Sequence, residues 1–380
     1  MTRVLLVPAA YLPTVGGVQT VVAQVAAELR AVGHHVELLT QRHPRTLPAS
    51  EVVAGVPVHR FLFLLPLLKY LRQRRPDLFA GSLFYLPYSW LACRQLLRRF
   101  RPDVVHIHYV GAPAAFVLRP REHRSFRLVV TVHGYDVTGW AQQTRVERRL
   151  FQATLHGADV VTAPVQPLLD QALAIVPAAA ARARVIPNGV DIARFAAATP
   201  FTWSRPYILG LGRLTWAKGF DTLLDAYVRL AQGYDLLVGG DGEDEPRLRQ
   251  QIYRLGIGDR VTLLGKVAPS AVPGLMAGAR LLVMPSRREP FGLVALEGLA
   301  AGVPVVATHV GGLPDVLTGT GSRLVPADDP AALAAAMREM LAAPRAARVP
   351  LAADWSWAAV AQRYAALYEH CLSPAGACSG

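Results

Sequence analysis

Short apolar segments alternate with amphipathic stretches along the whole of this 380-residue chain, and this alternation restricts the fold to one class. Residues 3–8 are typical of a buried strand. Gly16-Gly17 then turns the chain into a segment whose apolar residues at positions 18, 21, 22, 25 and 29 have helical spacing. Strand and helix patterns that repeat in this way predict an α/β fold with doubly wound parallel sheets.

The chain is too long for one compact core, so we expect two domains. The predicted strands are 3–8, 36–40, 103–108, 128–133, 160–163 and 184–187 in the first series, and 207–211, 235–239, 261–264, 280–284 and 303–307 in the second. We therefore place Rossmann-like domains at 1–195 and 196–355. A last helix and a frayed tail occupy 356–380, and we expect the helix to return to the first domain.

Most of the net charge of +13 belongs to the first half of the chain. Residues 1–195 hold 23 Lys and Arg against 11 Asp and Glu, a balance of +12, and eight of these cations lie in 69–101. The same region carries Phe61, Phe63, Tyr70, Phe79, Phe84, Tyr85, Tyr88 and Trp90. Apolar side chains beside cations suit an anionic membrane surface. An ordinary buried helix pair with solvated arginines is the alternative, and we expect no nucleic-acid partner.

Targeting signals are weak in this sequence. Prolines interrupt the apolar N-terminus, which indicates a buried strand and not a signal peptide. The longest uncharged run, 78–93, is too short to span a bilayer. Cys93, Cys371 and Cys378 have no metal-binding spacing, which fits a reducing compartment. We expect a cytoplasmic protein and hypothesise peripheral attachment to the inner face of the plasma membrane.

Two carboxylates, Glu289 and Glu297, stand eight positions apart (297 − 289) around a Pro-Phe-Gly turn. The first is predicted on a loop and the second in the helix that follows, so both can reach one ligand. The amides of Phe291, Gly292 and Leu293 would face an anion at the helix N-terminus. A sugar diphosphate has the matching groups. Taken alone, two such glutamates are more often a surface loop charge and a solvated helix residue.

Further candidate residues follow other predicted strands. Arg213 and Lys218 follow the first strand of the second domain and suit a diphosphate, although solvated charges are the alternative. The third glycine of a dinucleotide fingerprint is missing there, so a dehydrogenase is disfavoured. His133 ends a strand where a ligand would lie. We expect His106 and His108 to be structural residues on opposite faces of their strand, unable to share a metal. No metal or other cofactor is expected.

The set of motifs resembles the retaining glycosyltransferases of family 4, which have the GT-B architecture of two Rossmann-like domains facing a cleft. The resemblance spans almost the whole chain. It rests on Gly16-Gly17, 102–108, 132–136, 185–191 with Phe195, Gly212-Arg213, Lys218-Gly219, Gly240-Asp241-Gly242, 285–297, 302–307 and 311–314. The resemblance implies that the first domain binds the acceptor and the second binds a nucleotide sugar.

The same resemblance implies a role for each candidate residue. Glu297 would hold the ribose, and Arg213 and Lys218 would neutralise the leaving diphosphate as catalytic groups. Glu289 and the amides of Phe291, Gly292 and Leu293 would grip the donor sugar, with His133 near the reacting carbon. Glu289 and His133 would also be catalytic residues. The remaining donor-site residues are Gly16 and Gly17, which would let the first domain close on the donor, Gly240, and Lys266 and Val267 beside the base.

The function that this resemblance implies is transfer of a sugar, with retention of configuration, from a nucleotide diphosphate to a lipid-linked or glycan acceptor. A UDP-sugar is favoured and GDP-mannose is the second candidate, in cell-envelope or exopolysaccharide synthesis. Two alternatives remain open, a nucleotide-sugar epimerase of the same architecture and a non-catalytic sugar-nucleotide-binding protein.

Overall fold

The chain divides into two units. The first comprises Met1–Asn188 and Trp357–Gly380, and the second comprises Gly189–Ser356. A computed structural model describes residues 1–14, 16–65, 71, 74–118, 125–230, 233–343 and 351–373. Both units are α/β, and each contains one sheet.

The first unit contains an eight-stranded sheet in the order β3-β4-β2-β1-β5-β6-β7-β8. Its strands are β1 (Arg3–Pro8), β2 (His35–Gln41), β3 (Ser50–Val53), β4 (Val56–Phe61), β5 (Val104–His108), β6 (Arg127–Thr131), β7 (Val160–Ala163) and β8 (Ala183–Val185). All neighbours pair in parallel except β3 and β4, which are antiparallel. The apolar residues of β1 and β5 are fully buried, as expected when helices cover both faces of a parallel sheet.

Helices connect these strands. They are α1 (Gly17–Ala31), α2 (Pro76–Phe100), α3 (Ala114–Val117), α4 (Ala141–Gln143), α5 (Arg145–Gly157) and α6 (Gln166–Ile175), with a π-helix at Asp136–Trp140 and a 3-10 helix at Pro177–Arg182. The predicted apolar stripe of α1 is confirmed, since Val21, Val22 and Val25 are buried. The last helix of the chain, Trp357–Leu372, packs against α1, so this helix returns to the first unit.

The hairpin of β3 and β4 was not predicted from the sequence. Polar residues interrupt β4, yet Arg60 is buried and forms an ion pair with Glu51 on β3. His59 is also buried, with its Nε2 2.8 Å from Glu37 of β2. These pairs satisfy polar groups that would otherwise be costly inside the sheet. The apolar run that marks the other strands is therefore absent here.

The second unit contains a six-stranded sheet in the order β11-β10-β9-β12-β13-β14, with every pair parallel. Its strands are β9 (Tyr207–Leu211), β10 (Asp235–Gly239), β11 (Val261–Gly265), β12 (Leu281–Met284), β13 (Val305–Thr308) and β14 (Arg323–Val325). Its helices are α7 (Ile192–Ala196), α8 (Phe220–Tyr227), α9 (Glu245–Leu255), α10 (Val272–Gly278), α11 (Leu293–Ala300), α12 (Leu313–Leu317) and α13 (Pro330–Ala342), with 3-10 turns at Trp216–Lys218 and Ala353–Trp355, before α14 (Trp357–Leu372).

The division between the units falls seven residues before the predicted boundary at 195/196. The amide of Val190 donates to the carbonyl of Trp355 over 2.8 Å, and Val190 also bridges to Ser356. Helix α7 packs on α10 and α11. These contacts hold residues 189–195 to the second unit, a long-range interaction that local sequence does not reveal.

Within the described part of the chain, none of the helices has both the length and the apolar character that crossing a membrane requires.

Candidate functional site

Each sheet begins with a strand in its interior and reverses its direction of growth beside that strand. In the first unit the reversal lies between β1 and β5, and in the second between β9 and β12. Ligands of doubly wound sheets bind beyond the carboxyl ends of the strands at such a switch point. We therefore expect a ligand site among the loops that follow these four strands.

An ion pair joins the two loops at the switch point of the second sheet. Lys218 follows β9, Glu289 follows β12, and Lys218 Nζ lies 2.5 Å from Glu289 Oε2. Both side chains are largely buried, 21% and 10% exposed. The sequence identified both residues as members of one site, but it did not predict that they contact each other.

Backbone contacts fix the positions of these two loops. The amides of Arg287 and Arg288 both donate to the carbonyl of Ala217, at 2.9 and 3.1 Å. The Arg287 guanidinium forms two hydrogen bonds of 2.8 and 2.9 Å with Asp221, at the start of α8. These backbone hydrogen bonds and the Arg287 side chain therefore fix the loops that carry Lys218 and Glu289.

A glycine pair supports Glu289 from the other side. Gly312 donates its amide to the Glu289 carbonyl over 3.1 Å. At Gly311, whose φ is +53°, a Cβ atom would lie only 1.8 Å from the same carbonyl oxygen. A side chain at position 311 would thus displace the loop that carries Glu289.

Helix α11 starts directly after this loop. Gly292 caps it in the left-handed region, with φ 104°, and Leu293 is its first residue. Amides in the first turn of a helix have no partner within the helix and attract anions. Phe291 is buried, with its ring 6.3 Å from that of Trp355. The predicted turn and helix start are confirmed.

Glu297 lies on α11 and is only partly exposed. Burial raises the pKa of its carboxyl group to about 7, against a weaker opposing effect of Arg194. A neutral-pH solution therefore contains both protonation states. A carboxyl group whose pKa is shifted in this way, in the second turn of the helix that follows Glu289, is a functional-site candidate on physical grounds.

The other donor-site candidates lie at the ends of β9, β10 and β11. Gly240 approaches the carbonyl of Gly212 so closely that a Cβ atom would lie 1.8 Å from its oxygen. Val267 lies against Gly239, and Lys266 beside it is exposed. Arg213 is exposed, and no carboxylate of the described residues pairs with it. Its guanidinium is thus free to bind a ligand.

In the first unit, Gly16 and Gly17 stand where β1 passes into α1. Gly17 is the first residue of α1, and Gly16 before it is fully extended. Any residue can adopt this φ, so the backbone conformation at position 16 does not require glycine. A Cβ atom there would meet only the flexible end of Gln19, at 2.6 Å. Exposed amides at a helix start remain the property that suits a ligand.

His133 follows β6, and the carboxylate of Asp136 holds the turn that carries it. Asp136 accepts from the amides of His133 at 3.0 Å, Gly134 at 2.8 Å and Val110 at 3.2 Å. Burial raises the pKa of Asp136 to about 6, although these amides favour the ionised form. The sequence motif contained Asp136, but we assigned it no role.

The expectation that His106 and His108 face opposite ways is wrong. Residues i and i+2 of a strand point to the same face, and the two rings are 3.9 Å apart. His108 Nδ1 also lies 3.1 Å from His133 Nε2. Burial lowers the pKa of His133 to about 3 and the pKa values of the other two well below the usual value. All three rings are therefore neutral at pH 7.

Across the described ranges, no group of three His, Cys, Asp or Glu side chains is arranged to hold a metal ion.

Comparisons with known proteins cover both units. Residues 15–194 match a family model described as Glycosyltransferase Family 4, and residues 205–343 match one described as Glycosyl transferases group 1. The chain is 32% identical to glycogen synthase of Mycobacterium tuberculosis, over 96% of this chain and 94% of that protein. It is 29% identical to the GDP-mannose-dependent alpha-(1-6)-phosphatidylinositol monomannoside mannosyltransferase of the same species, over 96% and 97%. The solved sucrose-phosphate synthase from Thermosynechococcus elongatus is 25% identical, with a TM-score of 0.78 over 97% of this chain and 99% of that one.

We predict that Glu297→Gln stabilises the protein at pH 8. The folded carboxyl group has a pKa of about 7 against an ordinary 4.5, so the folded state binds more protons between these values. Wild-type stability therefore falls as pH rises through this window, and glutamine avoids the loss. The expected gain is about 3 kcal/mol above pH 7 and vanishes below pH 4.5. Urea unfolding across pH 4–8 measures it, with the exposed Glu243→Gln as control. A gain that does not vary with pH would contradict the assignment.

Proposed function

The chain belongs to glycosyltransferase family 4 and has the two-domain GT-B fold, and we propose that it moves a sugar from a nucleotide diphosphate to a glycan or lipid-linked acceptor with retention of anomeric configuration. The observation that carries the proposal is the Lys218–Glu289 pair at the switch point of the second sheet. A cation for phosphate and a carboxylate for sugar hydroxyls lie there within contact distance.

In the proposed reaction, negative charge develops on the leaving diphosphate while the sugar becomes positive. Lys218, Arg213 and the amides at the start of α11 would stabilise the diphosphate where this charge appears. In the free protein Glu289 neutralises Lys218. On donor binding the diphosphate would take over that charge, and Glu289 would accept hydrogen bonds from sugar hydroxyls.

The other donor-site residues would contact the ribose, the base and the diphosphate. Glu297, one to two turns into α11, would accept the ribose hydroxyls, and Lys266 and Val267 would contact the base. Gly240 would let the diphosphate approach the backbone, as would Gly16 and Gly17 from the first unit. We propose no protein nucleophile and no metal cofactor. The leaving phosphate would instead help to deprotonate the acceptor.

His133 is proposed to contact the donor sugar near the reacting carbon. Its ring is neutral, because burial lowers its pKa to about 3. The side chain would thus act through a hydrogen bond and not through charge.

We extend the proposal to the identities of the donor and the acceptor. A UDP-sugar is our first candidate and GDP-mannose the second. The names of the two mycobacterial relatives support a glycan acceptor and a phosphatidylinositol-linked acceptor respectively. We propose a role in cell-envelope or exopolysaccharide synthesis.

A screen of UDP- and GDP-sugars, with and without glycan and lipid-linked acceptors, tests the function. Acceptor-dependent release of nucleotide and a product of retained configuration, observed by NMR, are expected. An epimerase would convert the donor without an acceptor. A binding protein would bind nucleotide and show no turnover, and either result would replace the proposal.

We predict that Arg213→Ala and Lys218→Ala each slow sugar transfer by roughly two to three decades. Loss of one charge-stabilising donor costs about 3–4 kcal/mol in the transition state. Turnover at saturating donor measures the effect, and Arg254→Ala, an exposed cation on α9 of the same unit, is the matched control. Near-normal turnover in both site variants would refute the leaving-group role.

We predict that Glu297→Ala chiefly weakens nucleotide binding. Each hydrogen bond between a charged carboxylate and a ribose hydroxyl contributes about 1.5–3 kcal/mol. Calorimetric titration with the free nucleotide measures the loss at pH 8, where wild-type Glu297 is ionised. Unchanged affinity would leave Glu297 without a role in binding.

We further propose that α2 attaches the protein to an anionic membrane. One face of α2 buries Ser82, Ser89, Cys93 and Leu96. Phe84, Tyr88 and Leu91, spaced i, i+4 and i+7, are 73%, 59% and 59% exposed. These exposed apolar side chains favour membrane attachment over the alternative of a buried helix pair with solvated arginines.

Cations flank this apolar face. Arg98 is exposed near the end of α2, and Arg74 and Arg75 precede the helix, although Arg75 is paired with Asp77 at 2.7 Å. Cations beside exposed apolar side chains match a surface of anionic lipid. Tyr70 and Arg72, two further residues of the predicted segment, lie outside the described residues.

Vesicle sedimentation tests the attachment. Binding should rise with anionic lipid, fall with salt and weaken when Arg72, Arg74 and Arg75 become Gln. In Phe84→Ser with Leu91→Ser it should weaken by roughly tenfold or more, since each buried apolar side chain contributes about 1.5–3 kcal/mol. Tyr253→Ser, an 86% exposed aromatic on α9, is the control. Equal binding to neutral and anionic vesicles would remove the membrane proposal.

A further inference from the structure

We propose that His108 is a positioning residue that fixes the tautomer of His133, by donating its Nδ1 proton to His133 Nε2. His133 then carries its own proton on Nδ1 and meets its ligand as a hydrogen-bond donor. This inference rests on the proposed contact between His133 and the donor sugar, and it assigns the chemistry of that contact.

The geometry brings one nitrogen of each ring together. His108 Nδ1 and His133 Nε2 are 3.1 Å apart, within hydrogen-bond distance. A neutral imidazole has one donor nitrogen and one acceptor nitrogen. Because both rings are neutral, one of the two contacting nitrogens carries the proton and the other accepts it. Two arrangements are therefore open.

The second nitrogen of His108 decides between them. His108 Nε2 is buried and lacks a hydrogen-bond partner among the described residues. If His133 donated, the proton of His108 would have to reside on this Nε2, as a buried N–H with no acceptor. If His108 donates, Nε2 is only an unfilled acceptor. Among backbone groups, orphaned buried N–H donors are rarer than under-satisfied acceptors, and we extend this preference to the imidazole nitrogens, which favours the second arrangement.

The surroundings hold His108 in this orientation. Its ring lies against that of His106, with centroids 3.9 Å apart and the ring planes tilted by 38°. His106 is itself fixed at both nitrogens, by Tyr368 of α14 at 2.6 Å and by Thr131 of β6 at 2.7 Å. The returning C-terminal helix thus supports the histidine that orients His133.

His133 is in turn free to use its other nitrogen. It is partly exposed, and none of the described residues forms a hydrogen bond with its Nδ1. Asp136 accepts a hydrogen bond from the backbone amide of His133 and not from its imidazole ring. A Nδ1–H group in this place suits a hydroxyl or phosphate oxygen of the ligand and cannot serve as a general base.

Nitrogen-15 NMR of the imidazole rings in the free, full-length protein tests the tautomer without any substrate. The His133 signals, assigned with His133→Gln, should show a protonated Nδ1 and an unprotonated Nε2 at pH 7. A protonated Nε2 in the wild-type protein overturns the inference, whether or not the protein is a transferase. The wild-type spectrum decides even if the variants below do not fold.

Variants of His108 provide the second measurement. His108→Phe keeps a planar ring without a donor, so His133 should shift toward the Nε2–H form and transfer should slow by about tenfold, the loss of one buried hydrogen bond. His108→Asn, whose amide can donate from a similar position, should restore the wild-type tautomer and most of the rate. His59→Gln is the control, since it removes a buried imidazole of β4 whose ring nitrogens contact Ser50 and Glu37 and not His108 or His133. An unchanged tautomer in His108→Phe would also overturn the inference. If the wild-type protein shows the expected His133 tautomer but His133→Gln retains full transfer, only the proposed sugar contact is refuted.

Discussion

The reversal of strand order within each parallel sheet is the constraint on which the rest of the structure depends. Crossovers between parallel strands are right-handed, so growth on both sides of a starting strand places helices on both faces. At the reversal, the loops on either side of the switch point lead away to opposite faces and leave a gap at the carboxyl ends. The loops after β9 and β12 flank that gap in the second unit, and Lys218 meets Glu289 there.

Close backbone contacts then decide which side chains point into the gap. Gly240 and Gly311 each lie so near a neighbouring carbonyl that a Cβ atom would be 1.8 Å from its oxygen. Lys218 and Glu289, on the loops that these two glycines contact, form a largely buried ion pair. The desolvation cost of the pair offsets much of its electrostatic attraction. We therefore attribute the placement of Lys218 and Glu289 to the loops, and we interpret their contact as a resting state that a diphosphate would replace.

Buried titratable groups are concentrated at the same sheet edges. In the first unit His106, His108 and His133 are neutral because burial lowers their pKa values, and Asp136 beside them has its pKa raised to about 6. Glu297 in the second unit has its pKa raised to about 7 for the same reason. Each of these groups is destabilised as an ion by its surroundings, which is how a site is prepared for a charged or hydrogen-bonding ligand.

The sequence by itself determined the α/β class, the strands at 3–8, 160–163, 207–211 and 235–239, and the start of α11 at the glutamate motif. Apolar runs, glycine turns and capping act over a few residues, so local patterns reveal them. Only the tertiary structure decided the β3–β4 hairpin, the attachment of residues 189–195 to the second unit, the Lys218–Glu289 contact and the contacts of His108 with His106 and His133. These features depend on partners far apart in the chain, such as Arg60 with Leu12 or His106 with Tyr368, because the burial of polar groups is settled by which residues folding brings together.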